Sequence, residues 1–131
     1  MNGKIMIVDD EPDMLVLFEI IFRRKGFTVV TANGAQQALA LLEKEKPELF
    51  IVDIMMPEVT GLELCERLRT RPDTAHTPII LFSALSSTDA VQQGFAAGAD
   101  DVLPKTTPHN NVVSKVLSLL GRGNSQLYCA V

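Results

Sequence analysis

Leu49-Phe50-Ile51-Val52-Asp53 is a run of apolar residues that ends on a carboxylate. The same layout recurs at residues 5–9, where Ile-Met-Ile-Val leads into an aspartate, and at residues 78–83, where Pro-Ile-Ile-Leu-Phe leads into a serine. Short, uniformly apolar runs are typical of strands that are buried on both faces, as in a parallel sheet. The repeated layout therefore predicts a sheet whose strands end on polar side chains.

Helical patterns separate these runs along the chain. Residues 35–46 carry apolar side chains at i, i+3, i+4 and i+7 and are stopped by Pro47, and a similar stripe follows Thr107 and Pro108, a good N-cap and first-turn pair. The patterns predict strands at residues 5–8, 27–32, 49–52, 78–82 and 102–103. They predict helices at residues 14–25 and 35–46, after Gly61, at about residues 88–97, and after Thr107. This alternation predicts an α/β fold, a doubly wound five-stranded parallel sheet covered by five helices.

Composition limits the possible functions. The chain has 131 residues, enough for one domain, and a net charge of −4 from 12 basic and 16 acidic residues. A net acidic chain has little attraction for phosphate backbones, which argues against direct nucleic-acid binding. No apolar stretch approaches the ~20 residues that a membrane span needs, and Cys65 and Cys129 are too far apart for a CxxC motif. We therefore expect a cytoplasmic protein without a structural disulfide.

The strand ends collect the chemically active side chains. Asp9 and Asp10 follow the first strand, Asp53 the third, Ser83 the fourth and Lys105 the fifth. In an open α/β sheet, ligands bind at this carboxyl edge. Carboxylates ~4 Å apart repel each other by about 1 to 4 kcal/mol, and raised pKa values or a bound cation relieve that repulsion. Hard oxygen ligands suit Mg²⁺, particularly where a phosphate completes its coordination.

The lysine and the serine extend this hypothesis to phosphoryl chemistry. Lys105 would offer positive charge, and Ser83 a hydrogen bond, to an incoming phosphoryl group, while an aspartate can itself be the nucleophile that forms an aspartyl phosphate. Each residue also has a structural alternative. Asp9 and Asp10 can cap the first helix, and Lys105 alone can be a solvated surface lysine. The joint occurrence of these residues at the strand ends favours the functional interpretation.

Four segments carry a family resemblance. They are Val8-Asp-Asp-Glu-Pro12, Ile51-Val-Asp-Ile-Met-Met-Pro57 followed by Gly61, Ser83-Ala84, and Gly98-Ala-Asp-Asp-Val-Leu-Pro-Lys105. Over about residues 3 to 120 the chain resembles the receiver domain of bacterial two-component response regulators and is similar to the chemotaxis regulators among them. The resemblance implies a flavodoxin-like strand order of 2-1-3-4-5. It also implies a receiver domain over residues 1–121 and a flexible tail or the start of a linker over residues 122–131.

The resemblance further implies a metal site and a phosphodonor. Asp53 would accept a phosphoryl group from the phosphohistidine of a histidine kinase. Asp10, Asp53 and the backbone carbonyl of Met55 would hold Mg²⁺, with Asp9 assisting through water. The expected cofactor is therefore Mg²⁺, and the expected partner is a histidine kinase or a phosphotransfer protein.

The remaining implied roles concern the phosphoryl group itself. Ser83 would bind it and move on activation, Lys105 would pair with it, and small Ala84 would leave it space. Such a domain is a regulatory switch and not an enzyme with an external substrate, since it catalyses only its own phosphorylation and dephosphorylation. An unknown output domain or effector is expected, a homodimer is allowed, and neither direct nucleic-acid binding nor membrane binding is expected.

Two positions depart from the family pattern. Val102 stands where the family usually has an aromatic residue that swings inward, which argues against a simple aromatic rotamer switch. Thr106 stands where a proline on a cis bond usually follows the lysine. Because a cis bond before a non-proline residue costs ~2.5–4 kcal/mol, we predict a trans Lys105–Thr106 bond. These departures keep open a receiver-like interaction domain that acts without phosphorylation. An aspartate-nucleophile phosphatase would need a second acid where Met55 stands.

Three local features lead to further hypotheses. The first helix is apolar around more of its circumference than one core face requires, so it is either wedged between neighbours or offers a docking surface to the phosphodonor. Met55 and Leu85 match positions that flank the phosphoryl group, and since neither can orient a hydrolytic water, slow dephosphorylation is predicted. Cys65 is expected on an inner helix face, and His76 and His109 at the surface.

Overall fold

The computed structural model describes residues 3–84 and 88–121. The strands in this part of the chain are β1 (Lys4–Val8), β2 (Thr28–Ala32), β3 (Leu49–Asp53), β4 (Ile79–Ser83) and β5 (Asp101–Pro104). The helices are α1 (Pro12–Arg24), α2 (Ala35–Leu41), α3 (Gly61–Thr70), α4 (Thr88–Ala96) and α5 (His109–Leu120). Neighbouring strands are parallel and lie in the order β2-β1-β3-β4-β5. The predicted doubly wound, flavodoxin-like sheet is confirmed.

Side chains alternate between the two faces of the sheet, and helices cover both faces. On β1, Ile5 and Ile7 belong to one apolar cluster with Phe18 and the buried residues of α5. Met6 and Val8 belong to a second cluster, with the buried residues of α2 and α3. The central strands β3 and β4 are buried along their whole length. This double burial explains why these segments are uniformly apolar instead of alternating.

α2 is shorter than the predicted helix and ends at Leu41, not at residue 46. The Lys44 N–H donates to the Leu41 carbonyl at 3.0 Å in a tight turn, and the Glu48 N–H then donates to the Lys4 carbonyl at 2.8 Å beside β1. Leu42, at the end of the predicted apolar stripe, is still buried. The periodicity therefore identifies the buried face, but pairing with β1 requires the chain to leave the helix early.

The starts of two other helices also differ from prediction. In α5, Pro108 is the N-cap and His109 the first helical residue. Thr107 does not cap the helix, because its Oγ1 donates to the Pro104 carbonyl at 2.6 Å. α1 begins at Pro12, earlier than the predicted residue 14, because proline is accepted in a first helical turn.

β5 is covered closely by α4. A Cβ placed at Gly94 of α4 would collide with the Val102 side chain and would lie 3.3 Å from Leu81. Val102 is buried in this contact. Valine at the position where the family usually has an aromatic is therefore matched in size to a glycine on the covering helix.

Several smaller predictions have definite outcomes. Cys65 is fully buried on α3, and His76 and His109 are exposed, as predicted. The described residues contain no cis peptide bond, which confirms the trans bond at Lys105. None of the described helices has the length and apolar character needed to cross a bilayer. Leu85 and the predicted tail lie outside the described residues, and the division of the chain at residue 121 stays a prediction.

Candidate functional site

The parallel register brings the predicted polar residues to one edge of the sheet. β1 and β3 pair through their last apolar residues, so Asp9 and Asp53 lie side by side at the ends of neighbouring strands. Asp10 follows at the same end. β4 and β5 pair through Ser83, which places Lys105 just beyond them.

The Lys105 ammonium group lies among carboxylates. Its Nζ is 3.0 Å from Asp53 Oδ2, 2.7 Å from Glu11 Oε1 and 3.7 Å from Asp9 Oδ2. The Lys105 backbone N–H donates to the Ser83 carbonyl at 2.9 Å, which fixes where the side chain leaves β5. Lys105 is therefore part of a charged cluster and not a solvated surface lysine.

Asp9, Asp10 and Asp53 form the acidic part of this cluster. Each offers a carboxylate oxygen, and these atoms all lie within 4.8 Å of one another. Asp53 and Asp9 are only 2% and 4% exposed, whereas Asp10 faces solvent. Asp9 also accepts the Glu11 N–H at 2.9 Å and so helps to fix the start of α1. Closely spaced oxygens that are open to solvent on one side can hold a divalent cation.

Burial shifts the pKa values of the two inner carboxyl groups. The pKa of Asp53 is raised to about 6, chiefly by burial, although the hydrogen bond from Lys105 opposes the rise. Burial also raises the pKa of Asp9, against the hydrogen bond from the Glu11 N–H and the charge of Lys105. For Lys105, burial opposes the charged form, but the hydrogen bonds to Glu11 and Asp53 outweigh it and raise its pKa. Four carboxyl groups, those of Asp9, Asp10, Glu11 and Asp53, thus surround a single ammonium group.

The loop between β3 and α3 is built closely around Asp53. The Met55 N–H donates to Asp53 Oδ1 at 3.2 Å, and the Gly61 N–H donates to the Ile54 carbonyl at 2.9 Å. A Cβ at Gly61 would collide with the backbone carbonyl of Asp53, so glycine allows α3 to begin this close to the strand end. The Met55 side chain is 60% exposed at the rim of the site. The role of its carbonyl as a metal ligand stays a prediction.

Ser83 and Ala84 border Asp53 on the side away from β1. Phe82 pairs with Asp53 across the two strands. Ser83 then ends β4 as a buried residue, and Ala84 follows it at the surface. Asp53 thus has acids on its β1 side, and on its β4 side Ser83 and Ala84 follow its register partner Phe82.

Glu11 is a site residue that the sequence patterns did not indicate. Its contact with Lys105, at 2.7 Å, is shorter than the 3.0 Å contact between Lys105 and Asp53. The available signals were its place in the Val8–Pro12 segment and its position as a third acid directly after Asp9 and Asp10, and neither indicated a contact with Lys105. Lys105 lies 94 positions further along the chain, so only the tertiary structure brings the pair together.

One side of α1 is apolar and faces solvent. Val16, Leu17 and Ile20 are 56%, 37% and 46% exposed, whereas Phe18 and Phe22 are buried against the sheet. This exposure favours the docking surface over the alternative of a helix wedged between neighbours. We call Val16, Leu17 and Ile20 the α1 apolar surface, and α1 itself begins at the acidic cluster.

Known proteins share this sequence pattern. The family model for the response regulator receiver domain matches residues 5–117. The chain is 34% identical over 122 residues to the alkaline phosphatase synthesis transcriptional regulatory protein PhoP of Bacillus subtilis, covering 93% of this chain and 50% of that protein. It is 36% identical over 127 residues to the phosphate regulon transcriptional regulatory protein PhoB of Rhizobium meliloti, covering 97% and 56%. The chain thus spans about half the length of these curated relatives.

Solved structures share the fold. A putative response regulator from Chloroflexus aurantiacus has a TM-score of 0.88 at 32% identity, over 93% of this chain and 100% of that one. The chemotaxis protein CheY4 of Vibrio cholerae has a TM-score of 0.86 at 26% identity, over 91% and 99%. The family match, the relatives and the strand order agree with one another. This chain belongs to the family of response regulator receiver domains.

Proposed function

We propose that this chain is a phospho-accepting regulatory switch of a two-component phosphorelay. Asp53 takes a phosphoryl group from the phosphohistidine of a histidine kinase or of a phosphotransfer protein, with Mg²⁺ as the cofactor, and the modification changes what the chain binds. The main support is the Lys105 Nζ, 3.0 Å from Oδ2 of a buried carboxylate that has two further acids beside it. A carboxylate nucleophile, a cation-binding cluster and a fixed positive charge are the parts that phosphoryl transfer to an aspartate requires.

The transfer exchanges one bond to phosphorus for another. An oxygen of the ionised Asp53 carboxylate attacks the phosphorus atom of the donor, so that an O–P bond forms while the N–P bond to the donor imidazole breaks. The electron pair of the broken bond stays on the imidazole nitrogen, which takes up a proton. The product is an aspartyl phosphate. Because the pKa of Asp53 is about 6, most of this carboxylate is ionised at neutral pH and can act as the nucleophile.

The acidic cluster is the proposed Mg²⁺ site. Asp10, Asp53 and the Met55 carbonyl would be direct ligands, and Asp9 would act through water. The spacing of the three carboxylates, within 4.8 Å, and their all-oxygen donor set fit such an ion. When bound, Mg²⁺ would offset the negative charge of the cluster and of the phosphoryl oxygens.

Lys105, Ser83 and Ala84 are proposed to receive the phosphoryl group. Lys105 already lies beside Asp53 and would pair with a phosphoryl oxygen. The Ser83 hydroxyl would donate a hydrogen bond by turning inward, and the small Ala84 side chain would leave the space. Because Val102 packs on Gly94, we propose that the resulting movement of β4 reaches α4 through packing and not through rotation of an aromatic ring.

Loss of the phosphoryl group by hydrolysis is proposed to be slow. The exposed Met55 side chain at the rim is apolar and cannot orient a water molecule toward phosphorus. The phospho-form should therefore persist for minutes or longer at neutral pH, as followed by intact mass after removal of the phosphodonor. Loss within seconds would contradict this.

The α1 apolar surface is the proposed docking site of the phosphodonor. Ile20→Glu should slow transfer from a cognate phosphorylated kinase and leave phosphorylation by a small phosphodonor unchanged. Leu117→Glu is a matched control, because Leu117 is an equally exposed apolar residue, at 46%, on α5. Unchanged transfer from the kinase to the Ile20 variant would rule out docking on α1.

The output of the switch is proposed to be read by an attached domain or a separate effector in the cytoplasm. Both relatives are named transcriptional regulatory proteins, and this chain spans about half of each. The chain's own net charge of −4 supports no direct role in nucleic-acid binding. The chain is likewise proposed to catalyse only its own phosphorylation and dephosphorylation, alone or as a homodimer.

Incubation with acetyl phosphate and Mg²⁺, followed by intact mass spectrometry, tests the proposed function. The wild-type protein should gain one phosphoryl group, and neither Asp53→Asn nor wild-type protein in excess chelator should gain any. Circular dichroism would confirm that the variant is folded. An unmodified wild-type protein that also binds no Mg²⁺ would favour the alternative, an interaction domain that acts without phosphorylation.

A further inference from the structure

The position of Glu11 is set by its backbone, while its side chain lies at the surface. Its N–H donates to Asp9 Oδ1 at 2.9 Å, and its carbonyl accepts the N–H groups of Met14 and Leu15 at 3.1 and 3.3 Å. Pro12 follows and fixes the first turn of α1. The Glu11 side chain is 60% exposed. Its carboxylate is therefore placed by the junction of β1 and α1 and not by side-chain packing.

The Glu11 carboxylate holds the Lys105 ammonium group, the positive charge that a phosphoryl group on Asp53 would need. Glu11 Oε1 is 2.7 Å from Lys105 Nζ, whereas Asp53 Oδ2 is 3.0 Å away. The two contacts differ in burial, because the Asp53 side chain is only 1% exposed. A charge pair with a well-exposed partner is weak, since water competes for both groups. The Lys105 ammonium group is thus divided between a weak partner at the rim and a buried partner at the centre.

We propose that Glu11 is a positioning residue that competes with the phosphoryl group for Lys105 and so slows phosphorylation of Asp53. This deepens the proposed function and rests on it. As negative charge builds up on the transferring phosphoryl oxygens, Lys105 must turn from Glu11 toward the centre of the site. The contact between Glu11 and Lys105 stabilises the unphosphorylated state and is lost in the transition state. It therefore lowers the rate at which Asp53 is phosphorylated.

The geometry gives the sign and the approximate size of the effect. Glu11→Gln keeps the shape of the side chain but removes its charge, so Lys105 is freed for the phosphoryl group. The rate of phosphorylation should rise roughly threefold, the size expected from losing one exposed ion pair.

The test measures phosphorylation rates with acetyl phosphate and Mg²⁺ as the probe. Asp13→Asn is the matched control, because Asp13 is an exposed acid in the first turn of the same helix and, in the described structure, makes no ion pair with Lys105. Glu11→Gln should be phosphorylated roughly threefold faster than wild type. Asp13→Asn should be phosphorylated at nearly the wild-type rate. In a Lys105→Met background, Glu11→Gln should have no effect, because the competition requires the ammonium group.

A second measurement does not depend on phosphorylation. The rate at which an amine-selective reagent labels Lys105 Nζ, followed by peptide mass spectrometry, should be higher in Glu11→Gln than in either wild type or Asp13→Asn. Equal labelling would mean that Glu11 does not hold the ammonium group, which overturns the proposed competition.

The possible outcomes distinguish a failure of the proposed competition from a failure of the proposed function. A wild-type protein that takes up no phosphoryl group would contradict the proposed function, and the labelling rates would still decide whether Glu11 holds Lys105. A wild-type protein that is phosphorylated, with Glu11→Gln and Asp13→Asn changing the rate equally, would reduce Glu11 to a general charge effect. The proposed function would then stand without the competition.

Discussion

Arg69 and Lys105 lie at opposite ends of the sheet, and each is surrounded by oxygen atoms. Arg69, on α3, donates from Nε to the Gly98 carbonyl at 2.8 Å and from Nη1 to the Thr77 carbonyl at 2.6 Å. Its Nη2 lies 2.9 Å from Asp100 Oδ2. These partners precede β4 and β5, so the Arg69 cluster joins the loops at the amino ends of two strands whose carboxyl ends form the site.

Charge balance distinguishes the two clusters. Among the described residues, Arg69 forms an ion pair with Asp100 only, and its other partners are uncharged carbonyl groups. Lys105 meets Asp53, Glu11 and Asp9 together. The charge of Arg69 is thus balanced by Asp100, and its hydrogen bonds join the loops that precede β4 and β5. The Lys105 cluster retains excess negative charge, which a metal ion or protons would neutralise, and that imbalance marks it as the functional end.

The largest expected loss of stability comes from removing the arginine of the Arg69 cluster. Arg69→Met should lower the free energy of unfolding by about 3 kcal/mol, because it removes the counter-charge of Asp100 and the donor to four carbonyl groups. Urea unfolding measures the loss. Arg71→Met is the control, since Arg71 forms an exposed pair with Asp73 at 3.0 Å, and such a pair contributes less than about 1 kcal/mol. Equal losses in both variants would deny the Arg69 cluster its structural role.

Mg²⁺ should stabilise the Lys105 cluster and leave the Arg69 cluster unaffected. At a free concentration one hundred times its dissociation constant, a ligand of the native state adds about 2.7 kcal/mol of stability. Thermal unfolding with and without chelator should show a clear rise in Tm for wild type and for Arg71→Met, and a much smaller rise for Asp53→Asn. The same rise in all three proteins would place the ion elsewhere.

In the absence of metal, Asp53 in the Lys105 cluster should make the stability of the protein depend on pH. The pKa of Asp53 is about 6 in the folded protein, whereas an unfolded chain has ~3.9. The folded state therefore holds a proton that the unfolded state has lost, and stability from this group increases as pH falls from about 7 to about 4. The stability of wild type relative to Asp53→Asn should rise by about 2 kcal/mol as pH falls over that range. A difference that stays constant with pH would contradict the raised pKa of Asp53 in the folded protein.

Much of the fold is encoded locally and could be predicted. Apolar runs and helical periodicity need only neighbouring residues, and the capping box between Thr60 and Glu63 at the start of α3 has a local signature as well. The end of α2 at Leu41 could not be predicted in this way, because it depends on the hydrogen bond from the Glu48 N–H to Lys4, which is distant in sequence. The cap of α5 could not be predicted from residue type alone, because a hydroxyl beside a helix start can bond to a different neighbour. Thr107 illustrates the point, since its hydroxyl bonds to Pro104 instead of capping the helix.

The site residues that directly follow strands could be predicted from the sequence. Those that are defined by a contact with a distant part of the chain could not. Asp53 and Lys105 follow apolar runs, so their meeting at one edge follows from the topology. Glu11 and Arg69 carry no comparable signal. The charged partner of Glu11 is 94 positions away, that of Arg69 is 31 positions away, and most atoms around Arg69 are backbone carbonyls that any sequence supplies.

Chemical trapping of the phosphorylated protein identifies the residue that carries the phosphoryl group. Borohydride reduction after incubation with acetyl phosphate and Mg²⁺ converts an aspartyl phosphate to homoserine, which peptide mass spectrometry can locate. We predict homoserine at residue 53 in wild type and in the folded fraction of Arg69→Met, and none in Asp53→Asn. Homoserine at any other carboxylate, or none in wild type, would contradict this prediction.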